Sequence, residues 1–325
     1  MCQNAPKISE RIKKSECTLQ KGDKRIGRGI LVTADLHCHT KLSDGSMGIE
    51  DLIVHAVKAG IKTISITDHD CLAGTVRAQI LSKRYNVNVI PGVEFTCTDK
   101  KRGSKAHILC YYPDKPERLE SLCHKNTLAR KTAGRVMAVR VAEKYPIAPE
   151  FIVKCATGST NIFKQHIMQA LMECGYTTTI FGELFDKLFS SESEENVLVK
   201  TNYTSPEETI KTIHEAGGIA ILAHPGMYNN FELLEELTAL GLDGVEVWHP
   251  ENTPEQQEML KAYAKKHKLL MTGGSDFHGA YNFAPVKIGD YGPPDECIDE
   301  LISYKAKMRR KQKKLEKEKA EAKAE

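Results

Sequence analysis

Nowhere in this 325-residue chain do 18 apolar residues run together, which excludes a membrane-spanning helix of ordinary length. The opening stretch from Met1 to Cys17 has lysines and an arginine but no apolar centre, so it does not read as a secretory leader. The ten cysteines stand singly, without a Cys-x-x-Cys pair, and this argues against both a zinc ribbon and a secreted disulfide framework. A cytoplasmic protein with free thiols is the expectation. A net charge of +3 conceals an asymmetry: residues 305–325 carry +6 and residues 1–29 carry +5, leaving residues 30–304 at about −8. Basic ends therefore flank an acidic body.

What the chain does have is a series of short apolar, β-branched runs. Seven can be marked, at Ile30 to Leu36, Ile61 to Thr67, Val87 to Val93, Ala106 to Tyr112, Gly218 to Ala223, Gly244 to Trp248 and Leu269 to Gly273. Helical spacing lies between most of them, as in Ile49 to Ala59, Pro206 to Ala216, Phe231 to Leu240 and Thr253 to His267. Alternating strand and helix predict a parallel α/β sheet, and ligand-type residues arriving from many strand ends favour a closed barrel with a single mouth. The alternation breaks over 113–205, a stretch of charged helix formers punctuated by prolines, which reads as a helical insertion able to serve as a lid. The expected organisation is a basic extension (1–29), two barrel parts (30–112 and 206–304) around that insertion, and a solvated charged tail (305–325).

Candidate metal ligands punctuate the ends of these runs. His37 and His39 flank Cys38 with period two, so both imidazoles leave one face of a strand, and Gly45 permits a turn that returns Asp44 to them. Asp276 and His278 repeat the same spacing after Gly273-Gly274. His69 follows Ile64-Ser65-Ile66, Glu94 follows Pro91-Gly92-Val93, and His224 follows Ile221-Leu222-Ala223; His107 precedes its apolar run. A carboxylate has two oxygens, which assigns Glu94 the bridging position between two cations. Asp68 or Asp70 is expected to accept from a ligating imidazole and fix its tautomer, with Asp35 in the same supporting set. Nitrogen and oxygen donors of this kind suit manganese, iron or zinc rather than a metal that prefers thiolates.

These motifs, in this order from Asp35-Leu36-His37-Cys38-His39-Thr40 to Gly274-Ser275-Asp276-Phe277-His278, resemble the PHP (polymerase and histidinol phosphatase) superfamily over roughly residues 33 to 279. The resemblance implies a distorted (β/α)7 barrel with three divalent cations per chain: manganese first, with iron, zinc or magnesium as alternatives. It places His37, His39, Glu94 and Asp276 on the first, Asp44, His69 and His278 on the second, and Glu94, His107 and His224 on the third. Glu94, Asp276 and His278 are the expected catalytic set. The branch most resembled contains nucleoside 3′,5′-bisphosphate phosphatases and the exonuclease RNase AM. By that likeness Arg130, Arg135, Lys164 and His166 are the candidates for holding substrate phosphate. The sequence departs from the branch in reading Lys164-Gln165-His166 where Arg-x-His is usual, and Met227 where an arginine commonly follows His-Pro-Gly.

The function expected is a metal-dependent phosphoesterase that uses activated water on a phosphate monoester, nucleotide or short oligonucleotide. Either a metal-bound water or His249 would serve as the proton donor to the leaving group. Three other readings stay open at this level. One is a phosphatase for a small metabolite such as histidinol phosphate; another is a nucleic-acid-binding or assembly module using the basic ends, which would give weak RNA contact. A dimetal amidohydrolase fits less well, because no strand ends in a lysine suited to carbamylation.

Overall fold

The computed structural model describes residues 33–324, so the basic extension read at 1–29 lies outside the described residues. Seven strands form one sheet in chain order: β1 (Ala34–Cys38), β2 (Thr63–Ile66), β3 (Asn88–Asp99), β4 (Ser104–Tyr111), β5 (Ile219–Leu222), β6 (Gly244–Trp248) and β7 (Leu270–Gly273). The sheet curls towards closure where Phe277, just past β7, bridges Cys38 of β1; His39 N–H donates to Phe277 O at 2.9 Å. Gly274 makes that approach possible, because a Cβ there would collide with the Cβ and backbone nitrogen of His37.

The wholly parallel sheet predicted from sequence is wrong at one place. β3 and β4 are antiparallel, and so are β4 and β5. The physical reason is the connection: only Lys100 to Gly103 separate β3 from β4, too few residues for a crossover helix, so the chain turns back as a hairpin. β3 also runs on past its expected end at Val93, which puts Glu94 in mid-strand.

Helices cover the outside. α1 (Ile49–Lys58) and α2 (Thr75–Tyr85) follow the first two strands, while α7 (Pro206–Glu215), α8 (Pro225–Tyr228), α9 (Phe231–Ala239) and α10 (Pro254–His267) flank the later ones. Ser205 and Thr253 cap α7 and α10, each accepting from a backbone N–H three residues on, with proline at the first helical position. Alternation then sorts the strand side chains. Ile108, Cys110, Ala220, Leu222, Val245 and Val247 pack outward against helices, whereas Ile90, Leu109, Tyr111, Ile219 and Ile221 fill the barrel.

Between β4 and β5 lie α3 (Glu120–Lys144), α4 (Pro149–Cys155), α5 (Lys164–Glu173) and α6 (Glu183–Phe189). They share a hydrophobic cluster of their own, including Val141, Ile152, Ile167, Leu171 and Leu188. This segment is tied to the loop after β1: Ser159 Oγ donates to Ser43 O at 2.5 Å, and Thr160 N–H donates to Leu42 O at 3.0 Å.

The last helix, α11 (Asp295–Ala324), corrects the expectation that a solvated tail begins at Lys305. Its seam of Ile298, Leu301, Tyr304 and Met308 closes the barrel floor, and Lys305 extends that seam with a charge. The Lys305 ammonium is buried against Asp114 Oδ2 at 2.6 Å and Gly217 O, while Arg309 reaches Asp114 from the rim. A buried ammonium stripped of its only carboxylate is costly, whereas an exposed ion pair is worth little. Asp114→Ala is therefore expected to lower stability towards denaturant by about 3 kcal/mol, and Arg309→Ala by less than about 1 kcal/mol. Equal losses in urea titrations would contradict the buried clamp.

Candidate metal centre

Strands and the loops that follow them bring nine ionisable side chains to one mouth, with Glu94 of β3 among them. Its Oε2 lies 3.4 Å from His37 Nε2, 3.3 Å from His39 Nε2 and 3.0 Å from His69 Nδ1. Its Oε1 lies 2.7 Å from His107 Nδ1 and 3.0 Å from His224 Nε2. The two oxygens thus face two different sets of imidazoles. The antiparallel hairpin builds half of this arrangement, since Glu94 pairs with Leu109 and Thr96 with His107, making Glu94 and His107 diagonal neighbours on the inner face.

Asp276 Oδ1 sits 3.4 Å from His37 Nε2 and 3.1 Å from His39 Nε2, completing a group with Glu94. Asp44 gathers a second group, with His278 Nε2 at 3.3 Å and His69 Nε2 at 3.7 Å. Donors bound to one cation at about 2.1 Å stand roughly 3.0 Å apart in an octahedron and 3.4 Å apart in a tetrahedron, the spacing found here. Seven buried atoms in the cluster also have no hydrogen-bond partner: His37 Nε2, His39 Nε2, Asp44 Oδ1, His69 Nδ1, Glu94 Oε2, His224 Nδ1 and His249 Nε2. Buried polar atoms without partners are expensive, and cations beside His37, His39, Asp44, His69 and Glu94 would satisfy theirs. The donor set fits divalent metal.

Three imidazoles are turned so that Nε2 faces inward. His37 Nδ1 is 3.0 Å from Glu246 Oε1, and His278 Nδ1 is 2.7 Å from Asp276 O. His39 Nδ1 is 3.3 Å from Ser43 Oγ, which itself donates to Asp68 Oδ1 at 2.6 Å. A proton held on each Nδ1 leaves the Nε2 lone pair for a metal. Asp68 therefore acts through Ser43 rather than by accepting from an imidazole directly. Asp70 accepts from Asn126 Nδ2 at 2.7 Å and from Arg130 at 2.8 Å, and Asp35 accepts from Ser275 N–H and Gly289 N–H, pinning the loops after β7. Neither touches an imidazole side chain.

Glu246 is absent from the sequence reading. It is fully buried on β6, holds His37 through Oε1 and accepts the His224 backbone N–H through Oε2 at 2.9 Å. The available signal was an acid at an inward position of Gly-Val-Glu-Val-Trp, hidden by its apolar neighbours. Gln165 was also passed over; its amide donates to Asp44 Oδ2 at 3.1 Å and carries the helical segment into the cluster.

The candidate phosphate contacts divide. Arg130 is brought in beside Asp70 and Thr96 Oγ1, with Phe163 and Tyr203 packed on its guanidinium at 4.8 and 5.2 Å. Arg135, five residues on along α3, is exposed. Lys164 is half-buried over Phe185 and Phe189, and burial with nearby Lys105 pulls its ammonium down to about 7. His166 accepts the Phe163 N–H on Nδ1 at 3.1 Å, so it is part of the α5 terminus. His249 accepts the Glu251 N–H on Nδ1 at 3.0 Å, which puts the proton of the neutral ring on Nε2, 3.6 Å from Asp276 Oδ2.

The family profile of the PHP domain matches residues 35–316. The chain belongs to the PHP domain family. It is 32% identical over 256 residues to the phosphoribosyl 1,2-cyclic phosphate 1,2-diphosphodiesterase of Eggerthella lenta, covering 77% of this chain and 96% of that one. It is likewise 32% identical over 262 residues to the 5′-3′ exoribonuclease Rnm of Escherichia coli, with 76% and 85% covered. Among solved structures, a Bifidobacterium adolescentis protein provisionally described as a metal-dependent phosphoesterase superposes with a TM-score of 0.76 at 31% identity, covering 83% of this chain and 95% of that one. No helix among the described residues is long and apolar enough to cross a membrane.

Burial pulls the His39 imidazole down, yet the carboxylates of Asp276 and Glu94 overcome it and push it up to about 10. Carboxylates also leave His37, His224 and His278 raised, while burial holds His107 down at about 3. A folded-state pKa above the unfolded value of about 6.5 gives stability that is complete below that pH and is lost as pH rises towards 10. Metal needs the neutral imidazole, so its stabilisation grows over the same interval. The gap in Tm between Mn²⁺-loaded and chelator-treated protein should widen from pH 7 to pH 9. A gap that narrows would contradict this electrostatic arrangement.

Proposed function

We propose that the chain is a metal-dependent phosphoesterase that cleaves a phosphate ester of a nucleotide or short oligonucleotide, with up to three divalent cations held at the Glu94 cluster. Manganese is the first candidate, ahead of iron, zinc or magnesium. The observation that carries the reading is Glu94 itself, one buried carboxylate whose two oxygens face two imidazole sets at an open cleft. Bound cations would supply an activated water and neutralise charge developing on the phosphoryl oxygens.

The chain's own groups account for the rest. Asp276 stands between the imidazoles of His37 and His39 on one side and the His249 Nε2–H on the other; with its Nδ1 taken by the Glu251 N–H, the His249 ring has only that one proton, so it would stabilise the departing oxygen as a hydrogen-bond donor rather than protonate it. Arg130, held rigid by Asp70 and two aromatic rings, offers a fixed cation to a phosphate that does not react, whereas exposed Arg135 drops out of that role. Glu246 positions His37 and the His224 backbone together. The Eggerthella lenta and Escherichia coli relatives, named for a cyclic phosphate and for RNA, support phosphate esters as the substrate class.

Hydrolysis of phosphate esters by Mn²⁺-loaded protein, read together with metal content by mass spectrometry, tests this. Glu94→Gln should lower kcat by about a thousandfold or more, the equivalent of several kcal/mol of transition-state stabilisation, and reduce bound metal. Glu246→Gln should weaken metal affinity by about 10- to 100-fold while saturating metal restores much of the rate. Full activity and unchanged metal content in Glu94→Gln would overturn the proposal.

A further inference from the structure

Above the cluster lies a cleft of about 190 Å³ whose floor includes Glu94, His107 and His224. That is below the roughly 300–1,000 Å³ of a pocket enclosing a drug-sized ligand, so it has room for one unit of a substrate. The walls differ sharply from the floor. Phe181, ahead of α6, and Phe283, in the segment after β7, meet edge to face at 5.3 Å, and Phe181 is braced from behind by Phe185 at 4.9 Å. Tyr228 on α8, which lines the same cleft, packs against His107 at 5.3 Å and His224 at 5.8 Å, which ties it to the floor. Phe181, Phe283, Met227 and Tyr228 are each half-buried, so each keeps surface open to the cleft.

Among the described residues no lysine or arginine lines this cleft, and Glu251 is a charged group in its upper walls. A second phosphate would therefore meet no cation on these walls, since Arg130 stands outside them beside Asp70. Met227 reinforces the point, because a thioether adapts to flat rings while offering nothing to an anion. What the walls can take is an uncharged planar group attached to a phosphate at the floor. The geometry points to a base-stacking slot, in which the side chains of Phe181, Phe283, Tyr228 and Met227 select a substrate carrying a nucleobase. This rests on the reading above of a phosphoesterase for nucleotides and deepens it, by naming the side chains that would take the base.

Stacking of a base on an aromatic side chain is worth about 1–3 kcal/mol, so the slot should be read out as a preference of about 5- to 150-fold. The test compares adenosine 5′-monophosphate with ribose 5-phosphate on Mn²⁺-loaded protein, by kcat/KM and by titration calorimetry. Wild type should favour the nucleotide by about tenfold, and Phe283→Leu, which keeps apolar volume, should reduce the ratio about fivefold or more, through KM rather than kcat. The same ratio in wild type and Phe283→Leu, or equal handling of both ligands by wild type, would overturn the slot and leave the phosphoesterase reading standing. Absence of hydrolysis with either ligand would count against the phosphoesterase reading, while the calorimetric ratio would still decide the slot.

Discussion

Six imidazoles and three carboxylates meet at the mouth of this barrel with most of their surface out of water, and that crowding is the constraint to which the rest of the structure answers. Neutral imidazoles alone would leave three anions buried side by side; fully protonated imidazoles would crowd like charges. Divalent cations would relieve both, pairing with the carboxylates and taking the imidazole lone pairs. Glu94 is central because its two oxygens divide the imidazoles between two positions. The antiparallel hairpin of β3 and β4 follows from the same need, since it sets His107 diagonal to Glu94, a pairing that a crossover connection would not supply.

The backbone carries part of the cost of this arrangement. Asp70, Tyr112, His224 and Asp276 all adopt positive φ, at 51°, 51°, 26° and 51°, and each stands just past a strand or its bridging extension. Such conformations cost about 1–3 kcal/mol each and persist where surrounding contacts over-determine them. Those contacts are visible: Glu246 holds the His224 amide, Asp35 holds the loop before Asp276, and Asp70 is fixed by Asn126 and Arg130. The barrel beneath supplies rigidity, closed at its floor by Ile298 and Leu301 of α11.

Much of this was legible in the chain. The strand runs and their number came from apolar periodicity, and His37 with His39, like Asp276 with His278, were marked by period-two spacing at strand ends. Strand direction was not legible there, because periodicity is the same either way and only the four-residue connection told against a crossover. Glu246 was invisible for a related reason: one acid among Val245, Val247 and Trp248 looks like an ordinary alternating strand until its partners are known. Lys305 misled because a charged residue marks a tail by composition, while the seam from Ile298 through Met308 that places it indoors spans the assumed boundary. Arg130 and Arg135 looked alike in sequence, yet five residues on a helix turn them to different faces.

Diffraction from crystals grown with Mn²⁺, collected at the manganese absorption edge, tests the bridge most directly. Anomalous peaks are expected on both sides of Glu94, one at bonding distance, about 2.0–2.2 Å, from Oε2 and the His37 and His39 nitrogens, the other from Oε1 and the His107 and His224 nitrogens. A single peak, or peaks that leave Glu94 uncoordinated, would contradict a carboxylate shared between two cations.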